Sequence, residues 1–166
     1  PDQVLHNTLL DAAAKSHNLA EGERYFSQML EARLSPSVVS FNSLVDAAAK
    51  QGCGAAALGW HARLLEQRLS PDARTFNSLI SGCARAGDLE GAEAWLEEMA
   101  GALLEPTGAT YNAIVYAAAK SERLDSARAW GQQMVARRVE PSVMTYNTLI
   151  SAAARCGDAP GAERFV

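Results

Sequence analysis

Five asparagines recur every 35 residues, at Asn7, Asn42, Asn77, Asn112 and Asn147. A side-chain amide carries both donors and an acceptor, so a row of them suits hydrogen bonding to the edge of a planar polar ligand such as a nucleobase. Asparagine is otherwise a mediocre helix residue that favours caps and turns, and its return in every period argues for a reading role over tolerance. A second column is cationic: Lys15, Lys50, Arg85, Lys120 and Arg155. Two roles fit it, contact with phosphates along a strand and compensation of a helix dipole, the latter worth roughly 0.3–1 kcal/mol.

Bond-breaking chemistry has no comparable support. His6, His17 and His61 form no ligand cluster or H-x-E pair, and neither a G-x-S-x-G motif nor a glycine-rich phosphate loop is present. Asp11 and Asp46 fall at solvated helix positions, and His61, beside Trp60, reads as a packed helix residue. Cys53, Cys83 and Cys156 are odd in number, far apart and without a C-x-x-C pair, which fits small core or capping residues in a reducing compartment. No catalytic residue, metal, cofactor or small-molecule substrate is expected.

The elements that would position these columns follow from the same period. Phe41, Leu44, Val45 and Ala48 stand at i, i+3, i+4 and i+7, the apolar stripe of an amphipathic helix. Ser40, Thr75, Thr110 and Thr145 are the expected N-caps of this first helix, and "KQG", "RAG" and "RCG" close it with a cation and a glycine. A second helix follows, with Ala92, Trp95, Leu96 and Met99 in one period and Ala127, Trp130 and Met134 in the next. Pro36, Pro71, Pro106 and Pro141, with Pro1 in the same register, are expected to end each helix pair. The alanine triplets Ala12 to Ala14, Ala47 to Ala49, Ala117 to Ala119 and Ala152 to Ala154 allow close helix approach. No strand and no domain boundary is predicted, and a strict period of this length means a solenoid.

The chain has 166 residues, 48% of them hydrophobic, and a net charge of −4. That composition fits a packed protein rather than a disordered one. It also opposes the basic footprint usual for nucleic-acid binders. The acidity is local, however, concentrated in "LEGAEAWLEEMAGALLEPT", residues 89 to 107, whereas the first-helix segments are slightly positive. No run approaches a membrane span, and the first residue is Pro rather than Met, as expected of a piece of a longer chain.

A 35-residue unit that opens on "TYNTLI", closes its first helix on "AAARCGD", and ends on "xPS" or "xPD" resembles the pentatricopeptide repeat over essentially the whole chain. The resemblance implies a right-handed all-α solenoid superhelix with repeats at 3–37, 38–72, 73–107 and 108–142 and a partial one from 143 to 166. It implies one base of single-stranded RNA per repeat. The fifth and last residues would read the base edge: Asn7 with Ser37, Asn42 with Asp72, Asn77 with Thr107 and Asn112 with Ser142, Asn147 lacking its partner. The second residues, Val4, Val39, Arg74, Ala109 and Met144, would pack on its face. Arg74 and Ala109 depart from the small branched apolar residue usual there.

The implied target is pyrimidine-rich, in the order C, U, pyrimidine, C, pyrimidine. The implied location is a mitochondrion or plastid, with a role in RNA processing, stability or translation. A protein-interaction scaffold in a large organellar assembly, such as a ribosome or a membrane-bound energy-converting complex, is the competing expectation. The net acidity and the departures at Arg74 and Ala109 favour that second reading.

Overall fold

A computed structural model describes residues 2–158. Among them are nine α-helices and no strand: α1 Gln3–Lys15, α2 Leu19–Glu31, α3 Val38–Gln51, α4 Gly54–Glu66, α5 Ala73–Ala86, α6 Leu89–Gly101, α7 Gly108–Lys120, α8 Leu124–Ala136 and α9 Val143–Arg155. The odd-numbered helices start 35 residues apart, as the asparagine spacing requires. Pro1 and the tail of the last period lie outside the described residues.

The helix starts differ from the sequence reading by one turn. Asp2, Ser37, Thr107 and Ser142 are the N-caps of α1, α3, α7 and α9. Ser40, Thr110 and Thr145, expected as caps, sit three residues inside and close capping boxes. Their hydroxyls accept the N–H groups of Ser37 at 3.2 Å, Thr107 at 2.9 Å and Ser142 at 2.9 Å. In α5, Thr75 does the same for Asp72 at 3.1 Å, and the Asp72 carboxylate accepts the Thr75 N–H at 3.0 Å. A hydroxyl at this third position satisfies an orphan donor as well as a cap does, which is why sequence alone confuses the two.

Helix ends also differ in cause from the expectation. Each second helix stops about five residues before its proline, at a residue with left-handed backbone: Arg33, Arg68, Leu103 and Arg138, with φ between 56 and 60°. The prolines occupy the extended link that follows, next to the N-cap of the next first helix. First helices end at His17, Gly52, Gly87, Glu122 and Gly157, all with positive φ. Glycine relieves that conformation at three of the five positions.

The chain forms two compact units, Pro1–Gly82 and Cys83–Val166, the division falling inside α5. In the first unit α1 packs on α2 and α3, α2 on α3, and α3 on α4. In the second, α7 packs on α6, α8 and α9, and α8 on α9. Each unit therefore stacks first helix on first helix, with a second helix wedged behind, the packing of an all-α helical-repeat solenoid.

The core of the first unit is aromatic: Phe26 meets Phe41 and Trp60 edge-on, with centroids 5.3 and 5.0 Å apart. That of the second is mainly aliphatic, around Ile114, Val115, Met134 and Leu149. Phe41, Leu44, Val45 and Ala48 are all buried, as their spacing demands. Ala13, Ala14, Ala47 to Ala49 and Ala117 to Ala119 are buried too, and a Cβ on Gly82 would stand only 3.1 Å from that of Ala49. His61 is buried, as expected of a packed helix residue. Cys53 is the N-cap of α4 and Cys156 the C-cap of α9, and all three cysteines are free.

Candidate nucleic-acid interface

The asparagines lie one turn inside the first helices, and the stacking of hairpins decides what remains of each amide. Ser40 Oγ donates to Asn7 Oδ1 at 2.7 Å. The Thr75 hydroxyl donates to Asn42 Oδ1 and that of Thr145 to Asn112 Oδ1. In these three pairs the capping-box hydroxyl of one repeat thus takes the amide oxygen of the repeat before it. Such a hydroxyl accepts from its own N-cap N–H and spends its single proton on the neighbour. The amide oxygen, expected to face a ligand, is instead a tie between repeats.

The amino end differs from repeat to repeat. Asn42 Nδ2 donates to Asp72 at 2.9 Å, and the residue is only 1% exposed. Asn112 Nδ2 reaches Ser142 Oγ at a longer 3.3 Å, and Asn112 is half-buried. Asn7 and Asn77 are half-buried as well, whereas Asn147 is exposed. So Asn42 with Asp72, and Asn112 with Ser142, are indeed brought together, but each pair is bonded to itself.

The column at the second position faces solvent throughout. Val4, Val39 and Met144 are among the exposed large apolar residues, and Arg74 and Ala109 are exposed too. Arg74 does not project alone. Its guanidinium donates to Asp11 Oδ1 at 2.8 Å, two repeats back, while Lys15 Nζ holds Asp11 Oδ2 at 2.7 Å. Hydrogen bonds from Lys15 and then Arg74 hold the Asp11 carboxyl below its ordinary value of 3.8, against the opposing effect of burial. Asp11, read from sequence as a solvated residue, is the centre of an ion triad.

The cationic column splits in the same way. Lys50 pairs with Asp46 at 2.8 Å, four residues earlier, as Lys15 does with Asp11. Lys120 has no such carboxylate, because Tyr116 stands where Asp11 and Asp46 stand, and it donates to the Arg85 carbonyl at the end of α5. Arg155, with Ser151 four residues earlier, donates to the Ala119 carbonyl at the end of α7, at 2.9 Å. Dipole compensation is therefore real, but in the second unit it serves the preceding repeat's helix. Arg85 itself is exposed.

Among the described residues, each unit has a groove between first helices. That of the first unit, about 320 Å³, is bounded by Asp46, Arg74, Asn77, Ser78 and Ser81 and is polar throughout. That of the second, about 780 Å³, lies between α7 and α9 and combines Tyr116, Val143 and Met144 with Asn147, Lys120 and Arg155. Tyr116 escaped the sequence reading because it breaks its column instead of repeating it. The signal was the run Asp11, Asp46, Ser81, Tyr116, Ser151, each 35 residues after the last.

Pentatricopeptide repeat models match the chain in four stretches: a pentatricopeptide repeat domain at residues 1–51, PPR repeats at 39–69 and 67–100, and the PPR repeat family at 106–155. No curated protein sequence matches. Among solved structures, the pentatricopeptide repeat protein PPR10 in complex with an 18-nt psaJ RNA element superposes with a TM-score of 0.90 at 27% identity, over 100% of this chain and 24% of that one. PPR10 from maize gives 0.80 at 26% identity, over 99% and 24%. The PPR domain of Arabidopsis thaliana protein-only RNase P 1 in complex with tRNA gives 0.78 at 16% identity, over 98% and 86%, a likeness of fold alone. The chain spans about a quarter of the length of PPR10.

Proposed function

Because the chain belongs to the pentatricopeptide repeat family, we propose that the face built by its first helices binds single-stranded RNA, about one nucleotide per repeat. The observation that carries the proposal is the superposition at 27% identity on PPR10, a structure that contains RNA. The repeats are taken as 3–37, 38–72, 73–107, 108–142 and a partial one from 143. The solvent-facing column Val4, Val39, Arg74, Ala109 and Met144 supplies the surface for base faces. The module acts by occupancy, shielding or recruiting in organellar RNA processing, stability or translation, in a mitochondrion or plastid. It performs no catalysis of its own.

Base reading proceeds from the amino end of each amide, since the oxygen is held by the next repeat. Asn112 Nδ2 exchanges its long bond to Ser142 for an acceptor on the base, pyrimidine O2 or N3, and the released Ser142 hydroxyl completes the contact. At Asn42 the same exchange displaces a 2.9 Å bond to a carboxylate, which then accepts uracil N3–H. The proposed preference remains pyrimidine, with C read by Asn7–Ser37 and Asn112–Ser142, U by Asn42–Asp72, and a pyrimidine by Asn77–Thr107 and Asn147. Lys15, Lys50, Arg85, Lys120 and Arg155 contact phosphates once their internal partners are exchanged.

The test is a titration of oligo-CUCC against an oligo-purine of equal length at two salt concentrations. Preference for the pyrimidine strand, with log affinity falling by about 0.7 per log unit of salt for each phosphate engaged, is the expected result. Equal or absent binding removes the reading. One observation favours a second function, a protein-interaction scaffold: Asn42 and Arg74 are already bonded within the protein. Absent binding by the intact protein leaves that scaffold in place.

A further inference from the structure

Tyr116 occupies a place the fold does not need filled by an aromatic ring. On α7 the core positions Tyr111, Ile114 and Val115 are buried, whereas Tyr116 is 46% exposed on the opposite side. Its hydroxyl makes no hydrogen bond among the described residues. The residues at the same register in other repeats are Asp11, Asp46, Ser81 and Ser151, all small or acidic. A single exposed ring is ordinary on a protein surface, so the residues around Tyr116 decide what it can bind.

The surroundings of the ring match one kind of ligand. Tyr116 and Met144 are apolar surfaces of the 780 Å³ groove between α7 and α9. Asn147 and Thr148 line it with polar groups, and of its charged residues Lys120 and Arg155 outnumber the one carboxylate, Glu122. A nucleotide carries three matching parts: a flat face, a hydrogen-bonding edge and an anionic phosphate. A peptide strand would meet no ladder of backbone donors here, because the groove walls are helices. In the first unit the equivalent register holds Asp46, paired with Lys50, and the groove's own cation, Arg74, is held by the Asp11 carboxylate, so that groove offers no ring and no cation without an anionic partner.

We infer that Tyr116, with Met144, forms a stacking slot for one nucleobase of single-stranded RNA, adding affinity without choosing among bases. The inference rests on the RNA-binding reading above and deepens it. Stacking on a ring tolerates any base, because every base has a π-face. Selection by Asn112 and Ser142 and retention by Tyr116 are then separate contributions to one nucleotide's binding.

The experiment measures fluorescence anisotropy of a labelled single-stranded RNA carrying CUCC, together with a series in which each nucleotide in turn is abasic. The unmodified protein, Tyr116→Ala and Tyr116→Phe are compared. Loss of one stacked base predicts roughly five-fold to hundred-fold weaker binding for Tyr116→Ala and affinity within about two-fold for Tyr116→Phe. One abasic position should bring the unmodified protein and Tyr116→Ala to the same affinity.

Several outcomes would overturn the slot: equal binding by Tyr116→Ala on intact RNA, a loss shared by Tyr116→Phe, or a loss that persists at every abasic position. In all of these the protein still binds RNA, so the broader function stands. If the unmodified protein binds none of the strands, the function and the slot fail together.

Discussion

The grooves of the two units are built from the same repeat and differ in what fills one register. In the first unit Asp11 and Asp46 bind the lysines one turn on, and Arg74 reaches back to Asp11, so the charges of that face satisfy one another. In the second, Tyr116 and Ser151 leave Lys120 and Arg155 with backbone carbonyls for partners, and the groove there is more than twice as large. A repeat thus sets where a side chain sits, while the residue four positions before a lysine decides whether that lysine is committed. Exposed ion pairs are worth roughly 0–1 kcal/mol, so the commitment would cost a ligand little energy to undo.

The largest effect should come from making the second groove like the first. Tyr116→Asp places a carboxylate four residues before Lys120, removes the ring, and is expected to weaken RNA binding roughly tenfold or more. Gel-shift titration on CUCC-containing RNA measures it, and unchanged affinity would mean that the difference between the grooves has no bearing on binding. Next in size is the contrast between Asn42 and Asn147. Asn42→Ala removes the two bonds that join the Asn42 amide to the Thr75 hydroxyl and to Asp72 at a position only 1% exposed, and should cost about 1–3 kcal/mol in urea unfolding. Asn147→Ala, at an exposed position, should stay within about 0.5 kcal/mol. Equal losses would mean that the hydroxyl–amide tie is not what joins repeats.

Smaller effects distinguish the links from the grooves. Leu103 is 92% exposed with φ 59°, so Leu103→Gly relieves left-handed strain without removing a core contact. Thermal melting should show a gain of about 1 kcal/mol, and a loss would mean that the leucine side chain does something for the second unit. The smallest effect belongs to the triad of the first groove. Because the Asp11 pKa is lowered in the folded state, its contribution is present above the ordinary value of 3.8 and lost as pH falls through the lower folded value. The stability gap between the unmodified protein and Asp11→Asn should therefore be flat above about pH 5, below about 1 kcal/mol in size, and should close on acidification. A gap that grows as pH falls would reverse the assignment.

Much of the fold was legible because its signals are local and repeated. The stripe of Phe41, Leu44, Val45 and Ala48 and the cation–glycine endings each lie within one or two helical turns. The misreadings were local as well: a threonine three residues inside a helix looks like a cap, and a proline beyond a helix looks like its terminator. In both cases the neighbouring residue, Ser142 or Arg138, does the work instead. The candidate site was legible only as columns. Tyr116 departs from its column, and a search for recurrence discards departures.

By itself, the sequence determined the all-helical hairpin, its 35-residue register and the residues that line one face, since helix periodicity, capping and left-handed breaks act within a few residues of the chain. Only the tertiary structure decided that Asn42 is sealed and Asn147 open, that Arg74 answers Asp11, and that Lys120 and Arg155 serve the preceding helix. Those outcomes join residues 30 to 63 positions apart. Stacking brings such partners within 3 Å, and hydrogen-bond energy at that range depends on tenths of an ångström, which no one-dimensional pattern encodes.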